Sequence, residues 1–488
     1  MHGLPQSANV EKSDRLPAFI DLAANDGGRS MYRFVSELYP ICRSITGDGV
    51  RKTLNLIMEQ IPLTICEVPS GLQVFDWTVP LEWNIRDAYI KNSAGERIVD
   101  FRASNLHVLG YSTPVHTRIG LSELREHLFS NPQHPDWIPY RTSYYEPAWG
   151  FCLPHRQLLA LPEDEYEVRI DSTLQSGHLT YGELLMRGRS SDEVLISCHV
   201  CHPSLCNDNL SGIAVACALA KRLGSMNLRY SYRFLFIPGT IGSITWAAIR
   251  QSHLDRIKHG FVVTCVGDRG SPTYKKSRRG DAEIDRAWTY VLKQSGGTFD
   301  ILPFSPYGYD ERQYCSPGLN LPVGCFMRTP HGQFPEYHTS ADDLDLVHAA
   351  SLDDSVAKAL AVIDVIEQNR KYLNLKPFCE PKLGDYGLYS SIGGCSASDF
   401  QMAILWLLSM SDGTNSLLDI AARCNLPWEM LKDSVRALTD AGLLKPVDEP
   451  SVPGANASSM AGGSFQSGRG EVATAASRAA VNGGPLDF

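Results

Sequence analysis

The chain has 488 residues, too many for one small domain, so two or three domains are expected. Its residues are 43% hydrophobic and 20% charged, an ordinary globular balance, and no apolar run reaches the roughly 18 residues of a membrane helix. A formal net charge of -9 argues against non-specific nucleic-acid binding, which needs a basic face to displace counterions.

Residues 1–28 are polar and contain Gly and Pro, and they read as a loose N-terminus without the basic and apolar regions of a signal peptide. A cytoplasmic protein is therefore expected. The 13 cysteines are an odd number in a long chain, which argues against a disulfide framework. No second Cys-x-x-Cys pair accompanies Cys198 and Cys201, so a four-cysteine zinc site is disfavoured.

From Ser30 to Glu59 apolar residues recur at helical spacing, with Met31, Phe34, Val35 and Leu38 before the turn Thr46-Gly-Asp-Gly49, and Leu54, Leu56 and Ile57 after it. Residues 62–175 form an inserted β-rich domain by this reading, with strands at 64–68, 96–101 and 165–170 between Pro and Gly turns. Thereafter strands alternate with helices: Glu193–Ser197, a helix at 212–223, then strands at 232–237 and 260–265. That alternation predicts a mixed α/β sheet flanked by helices, with ligands at the carboxyl ends of its strands. A helix from Ser351 to Tyr372 closes this core, assigned to residues 29–61 and 176–375. Three helical patterns and a short strand at 395–447 have the layout of a winged helix. Residues 448–488 are dominated by Ala, Ser and Gly and read as a disordered tail.

The segment with the densest chemistry is Ile196-Ser-Cys-His-Val-Cys-His-Pro-Ser-Leu-Cys-Asn-Asp-Asn-Leu-Ser-Gly212. His199 and His202 leave a buried strand, and Asp208 precedes a helix. Two imidazoles and a carboxylate in ten residues after such a strand point to half of a divalent-metal site, zinc first, with one or two ions. The other half is expected far along the chain. Tyr307-Gly-Tyr-Asp310-Glu311-Arg312-Gln313 supplies Asp310 as a ligand and Glu311 as a general base, with Tyr309 and Arg312 at the substrate. The stretch from His331 to Asp343 supplies His338 as a ligand and Glu336 as an alternative base, with Asp342 or Asp343 orienting the His338 ring. Arg43 could clamp a substrate carboxylate, and Trp149 could wall a pocket.

These motifs carry a resemblance. His199, Asp208-Asn-Leu-Ser-Gly212 and His338-Thr339 resemble the pattern of the zinc aminopeptidases, which include bacterial leucyl aminopeptidase and the glutaminyl cyclases. The resemblance implies a zinc exopeptidase-like, hydrolase-like core in which Asp208 bridges two zinc ions. The runs at 42–51, 198–203, 307–313 and 334–343 are similar to a bacterial family of aminopeptidase-like proteins. That family carries the inserted β-rich domain and the winged helix, and often accompanies polysaccharide or other secondary biosynthesis. The broader pattern has a Glu-Glu pair where this chain has Phe236-Ile-Pro-Gly239-Thr-Ile-Gly-Ser243, and an Asp ligand where Cys265 and Gly267-Asp268 stand. Asp310, Glu311 or Glu336 would replace them.

The leading expectation is zinc-dependent hydrolysis of an amide bond in a small-molecule or peptide-like substrate. A non-catalytic binding protein and a winged-helix regulator are the other two readings. The candidate recognition segment 427–438 mixes Glu429 and Asp433 with Lys432 and Arg436, so DNA binding is disfavoured, and another copy of the chain or a protein partner is the expected contact.

Overall fold

The computed structural model describes residues 27–388 and 398–447. The expectations for the N-terminus and for the tail at 448–488 fall outside the described residues, apart from Gly27 and Gly28.

An eight-stranded mixed sheet forms the centre. Its strands are β1 (Thr64–Pro69), β2 (His178–Met186), β3 (Glu193–His199), β4 (Ser231–Ile237), β5 (Ile257–Val263), β6 (Thr273–Lys275), β7 (Asp300–Leu302) and β8 (Val323–Met327). Their order across the sheet is β1-β2-β4-β3-β5-β8-β6-β7. β4, β3, β5 and β8 run parallel, β1 with β2, β2 with β4 and β6 with β8 pair antiparallel, and β6 with β7 pairs parallel. The chain steps from β3 to β4 on one side and then crosses back to β5 on the other. Such a reversal opens a crevice at the carboxyl ends of the strands.

Every residue of β3 is buried, as a strand covered on both faces requires. Alternate side chains serve two different cores. Val194, Ile196 and Cys198 join Phe234, Phe236, Phe261 and Val263 beneath a helical layer. That layer comprises α1 (Gly27–Leu38), α2 (Asp48–Met58), α3 (Ser211–Leu223), α5 (Glu283–Gln294) and α6 (Ala349–Gln368). Leu195, Leu235, Ile237 and Val262 face the other way, onto α4 (Ile241–Ile249) and residues of the inserted region such as Tyr166, Val168 and Ile170. Burying a Leu or Val side chain contributes about 1.5–3 kcal/mol, so the period-two alternation pins the register of the strand.

The inserted region holds a four-stranded antiparallel sheet in the order Arg97–Asp100, Glu82–Lys91, Glu165–Gln175, Val115–Gly120. One strand expected in this region belongs elsewhere. Thr64–Pro69 pairs with β2 and forms the edge of the central sheet. Its half-buried alternation suits either sheet, and only pairing between residues more than a hundred positions apart decides.

The winged helix consists of α7 (Asp399–Met410), α8 (Leu417–Cys424), α9 (Trp428–Asp440) and a three-stranded sheet. Ser398 and Ser416 cap α7 and α8, each in a reciprocal box with the residue three positions on. The central strand of this sheet is Lys371–Asn374. The closing helix therefore ends at Gln368, short of the expected Tyr372, and the winged helix begins before residue 395. β-branched and aromatic bulk is too sparse in 371–374 to signal a strand by itself. Among the described residues no helix is long and apolar enough to cross a membrane.

Candidate metal centre

His199 is the last residue of β3, at the crevice. The chain then loops through 200–205 and makes a tight turn at Cys206–Leu210 before α3. Asp208 lies in that turn with non-helical backbone angles (φ -112°, ψ 82°). Gly212 lets α3 come close. A Cβ there would lie 2.3 Å from the Asn209 side chain and 2.6 Å from the Val263 carbonyl oxygen.

Asp208 is fully buried and faces three imidazoles. His199 Nε2 lies 2.8 Å from Oδ1, His338 Nε2 lies 3.0 Å from Oδ2, and His202 Nε2 lies 3.9 Å from Oδ2. Ligand atoms of His199, His202 and Asp208 all fall within 4.8 Å of one another. Burial by itself would raise Asp208, but the histidines hold it well below the usual carboxylate range. Burial first, and the neighbouring His199, His338 and Arg43, push His202 well below its ordinary value in spite of Asp208. A neutral imidazole beside an ionised carboxylate is the protonation state a metal ion requires.

Four aromatic contacts wall the centre. Tyr309 stacks on His199 at 4.6 Å and Tyr337 stacks on His338 at 3.9 Å. Their hydroxyls meet at 2.9 Å. Tyr140 sets its ring edge-on to both His202 and His338. Tyr140 comes from the inserted region, which also grips the His338 loop. Tyr140 N–H donates to the His338 carbonyl at 2.8 Å, and Ser340 N–H donates to the Ile138 carbonyl at 2.8 Å. These bonds brace His338 in the left-handed region at φ 55°.

Asp310 approaches from the far side. It is fully buried, accepts a hydrogen bond from Ser243 Oγ at 2.9 Å through Oδ1, and leaves Oδ2 without a partner. Burial, opposed by nearby His199, raises its carboxyl to about 6. Gly239 makes room for it. A Cβ there would sit 3.2 Å from His199 Cβ and 3.5 Å from Asp310 Oδ1. A carboxylate reached from residue 310 thus fills the space beside the carboxylate-free stretch at 236–243. Glu311 next to it is buried, with Oε1 accepting from Lys275 Nζ at 2.8 Å and Oε2 unpartnered.

Other candidates are placed differently from expectation. Asp342 does not orient His338. Its carboxylate accepts the backbone N–H groups of Asn207 at 2.6 Å and Asp208 at 3.0 Å, and so holds the ligand turn. Asp343 accepts from the N–H of Asp345. Arg43 is buried; its Nε and Nη1 donate to the carbonyls of His202 and Leu38 and so clamp backbone, while its Nη2 is buried without a partner. Trp149 stacks on His127 at 3.5 Å within the inserted region. Glu336 contributes its carbonyl to the turn before His338, and its carboxylate has no hydrogen bond or ion pair among the described residues. Arg312 lies close enough to Asp310 to favour its ionised form. The described cysteines are free thiols, and burial raises those of Cys198, Cys201, Cys206 and Cys265.

Sequence reasoning missed Ser243 and Tyr140, which have no local signal because each acts through a partner dozens to hundreds of residues away. Lys275, expected to face water more than an anionic group, is buried on the Glu311 carboxylate. Asn207 and Asn209 were visible beside Asp208 but carried no assigned task. Asn207 Nδ2 donates to Asp268 at 2.8 Å, and Asn209 Nδ2 donates to the Val263 carbonyl at 3.1 Å, tying the turn to the end of β5.

Residues 32–369 match the family described as a domain of unknown function, DUF4910, and residues 370–446 match a winged helix-turn-helix. A Clostridium acetobutylicum protein is 50% identical over 433 residues, 88% of this chain and 99% of its own length. It carries the name of a candidate polysaccharide biosynthesis protein with an aminopeptidase-like domain. The crystal structure of a candidate peptidase from the same organism superposes with a TM-score of 0.82 at 49% identity, covering 86% of this chain and 98% of that one. A zinc aminopeptidase from Bacillus subtilis superposes at 0.51 with 13% identity, over 69% of this chain and 94% of its own, a likeness of fold. The chain belongs to the DUF4910 family of aminopeptidase-like proteins and carries a winged helix at its C-terminal side.

Proposed function

We propose that this chain is a zinc-dependent hydrolase of an amide bond, aminopeptidase-like or deacylase-like. One observation carries the reading: a buried carboxylate, Asp208, faces three imidazoles, and the equally buried Asp310, a neighbour of His199, leaves one oxygen without a partner. Buried polar oxygens are rarely left without a partner, and a cation would satisfy this one.

His199, His202, His338, Asp208 and Asp310 would hold the ion, a mixed nitrogen and oxygen set that suits zinc. When bound, zinc supplies a Lewis acid and lowers the pKa of a water molecule. Asp342 keeps Asp208 in place through the two N–H bonds of the ligand turn. Glu311 is the proposed base: Lys275 anchors one oxygen, and the free Oε2 is available to take a proton from water. Glu336 is the alternative base. Tyr309, Tyr337 and Tyr140 exclude solvent around the imidazoles and orient the substrate. The name of the Clostridium relative makes N-acylated sugars the first substrates to test, with aminoacyl amides beside them.

The test combines metal analysis with a panel of such amides. About one or two zinc per chain, and hydrolysis abolished by Glu311→Gln but not by Glu336→Gln, support the reading. A metal-free protein whose stability is unchanged by His199→Ala removes it.

A regulator acting through DNA is disfavoured by charge. On α9, Lys432 is paired with Asp364 of α6 and with Glu429, and Arg436 with Asp433. Contact with a protein, including another copy of this chain, suits such a helix better.

A further inference from the structure

A second built feature lies at the other end of the same strands. Glu193 begins β3 and His199 ends it, so the two are separated by roughly 20 Å of extended chain. Around Glu193 is a cavity of about 350 Å³, bounded by β1, β2, β4, the end of α4 and the turn that follows it. Four arginines and two glutamates line it: Arg187, Arg233, Arg250 and Arg256 with Glu183 and Glu193.

Both glutamates are already satisfied. Arg233 grips Glu193 with Nε at 2.6 Å and Nη2 at 2.8 Å, and its Nη1 also meets Glu183. Arg250 Nη2 takes the remaining oxygen of Glu183 at 2.9 Å. Arg187 and Arg256 have no ion pair among the described residues, and the Nε atom of Arg250 is buried without a partner. The cavity therefore holds an excess of two positive charges in a chain whose net charge is -9. No Phe, Tyr or Trp lines it, and His253 adds an imidazole to the wall, so charge and hydrogen-bond geometry must select the occupant.

We propose that this cavity binds a phosphoryl dianion, as inorganic phosphate or as the phosphate of a small phosphomonoester. A phosphate group carries a charge of about -1.5 to -2 near neutral pH, which matches the excess. The planar fork of arginine fits its oxygens two at a time. The site is separate from the metal centre and does not depend on its being catalytic.

The experiment is calorimetric titration of the full chain with inorganic phosphate, then with glycerol phosphate. The unmodified protein is compared with the double variant Arg187→Ala/Arg256→Ala and with His199→Ala. Saturable binding of about one phosphate per chain is expected. It should persist in His199→Ala and weaken at least about tenfold in the arginine variant, with an unchanged melting temperature because both arginines are exposed. Tighter binding of glycerol phosphate identifies the ester as the occupant, and equal or weaker binding identifies free phosphate. No saturable binding overturns the proposal. So does binding that is lost in His199→Ala but kept in the arginine variant, since phosphate would then be at the metal centre.

Discussion

The two ends of β3 set up a comparison. At its start, the Glu193 carboxylate is buried against the guanidinium of Arg233; at its end, the His199 imidazole is buried against the carboxylate of Asp208. Both sites lie in the same low-dielectric layer, yet they are balanced differently. Arginine is always charged, so the Glu193 carboxylate is neutralised within the chain and the pair staples the sheet. At the Asp208 end at least one imidazole, His202, is held neutral, and Asp310 adds a second buried carboxyl with an open oxygen. A buried acid beside arginine is complete. A buried acid beside a neutral imidazole such as His202 has room for a cation, and that difference separates a structural ion pair from a candidate metal centre.

Four substitutions can break or sharpen the contrast. Asp208→Asn has the largest expected effect: bound zinc is lost, and amide hydrolysis falls by ~10³-fold or more, read by metal analysis and initial rates. Arg233→Ala leaves two buried carboxylates without their shared cation and should cost about 3–5 kcal/mol in denaturant unfolding. Zinc content that stays constant in the folded fraction would show the two ends to be independent; parallel loss of zinc would undo the contrast. Asp310→Asn keeps shape and removes charge. It should weaken zinc binding about 10–100-fold in a chelator competition while leaving the unfolding midpoint nearly unchanged.

The smallest effect is expected at Glu82, a partly buried counterpart to Glu193. Hydrogen bonds from Arg51 lower its carboxyl to about 2 from an ordinary 4.5, against the opposing pull of burial. A depressed carboxylate stabilises the fold above its unfolded value and loses that contribution as pH falls through the folded value. Glu82→Gln should therefore be slightly less stable than the parent at neutral pH and converge with it near pH 2. A constant difference across an acid titration would show that Glu82 acts through packing alone.

Much of the centre was legible because its first half is local. His199, His202 and Asp208 are ten residues apart at most, and a buried strand followed by a helix places them at a crevice by the ordinary geometry of α/β sheets. His338 was legible through its motif, and the winged helix through three helical periods. The boundary at Thr64–Pro69, the strand at Lys371–Asn374 and the tasks of Asp342 and Arg43 were not. Each depends on which distant backbone group a side chain or strand edge meets, and periodicity says nothing about that. Arg43 shows the point well: an arginine in a motif suggests a carboxylate partner, yet its Nε and Nη1 go to carbonyls in His202 and Leu38.

The sequence by itself determined the kind of chemistry: alternating strands and helices, and imidazoles with a carboxylate at a strand end, because periodicity and ligand type are properties of short segments. Tertiary structure decided the rest. It brought Asp310 into the space that Gly239 leaves open, turned Asp342 onto the ligand turn, and gathered Arg187 and Arg256 around ion pairs already complete. Charge balance in a buried site is a sum over neighbours in space, and those neighbours come from segments far apart along the chain.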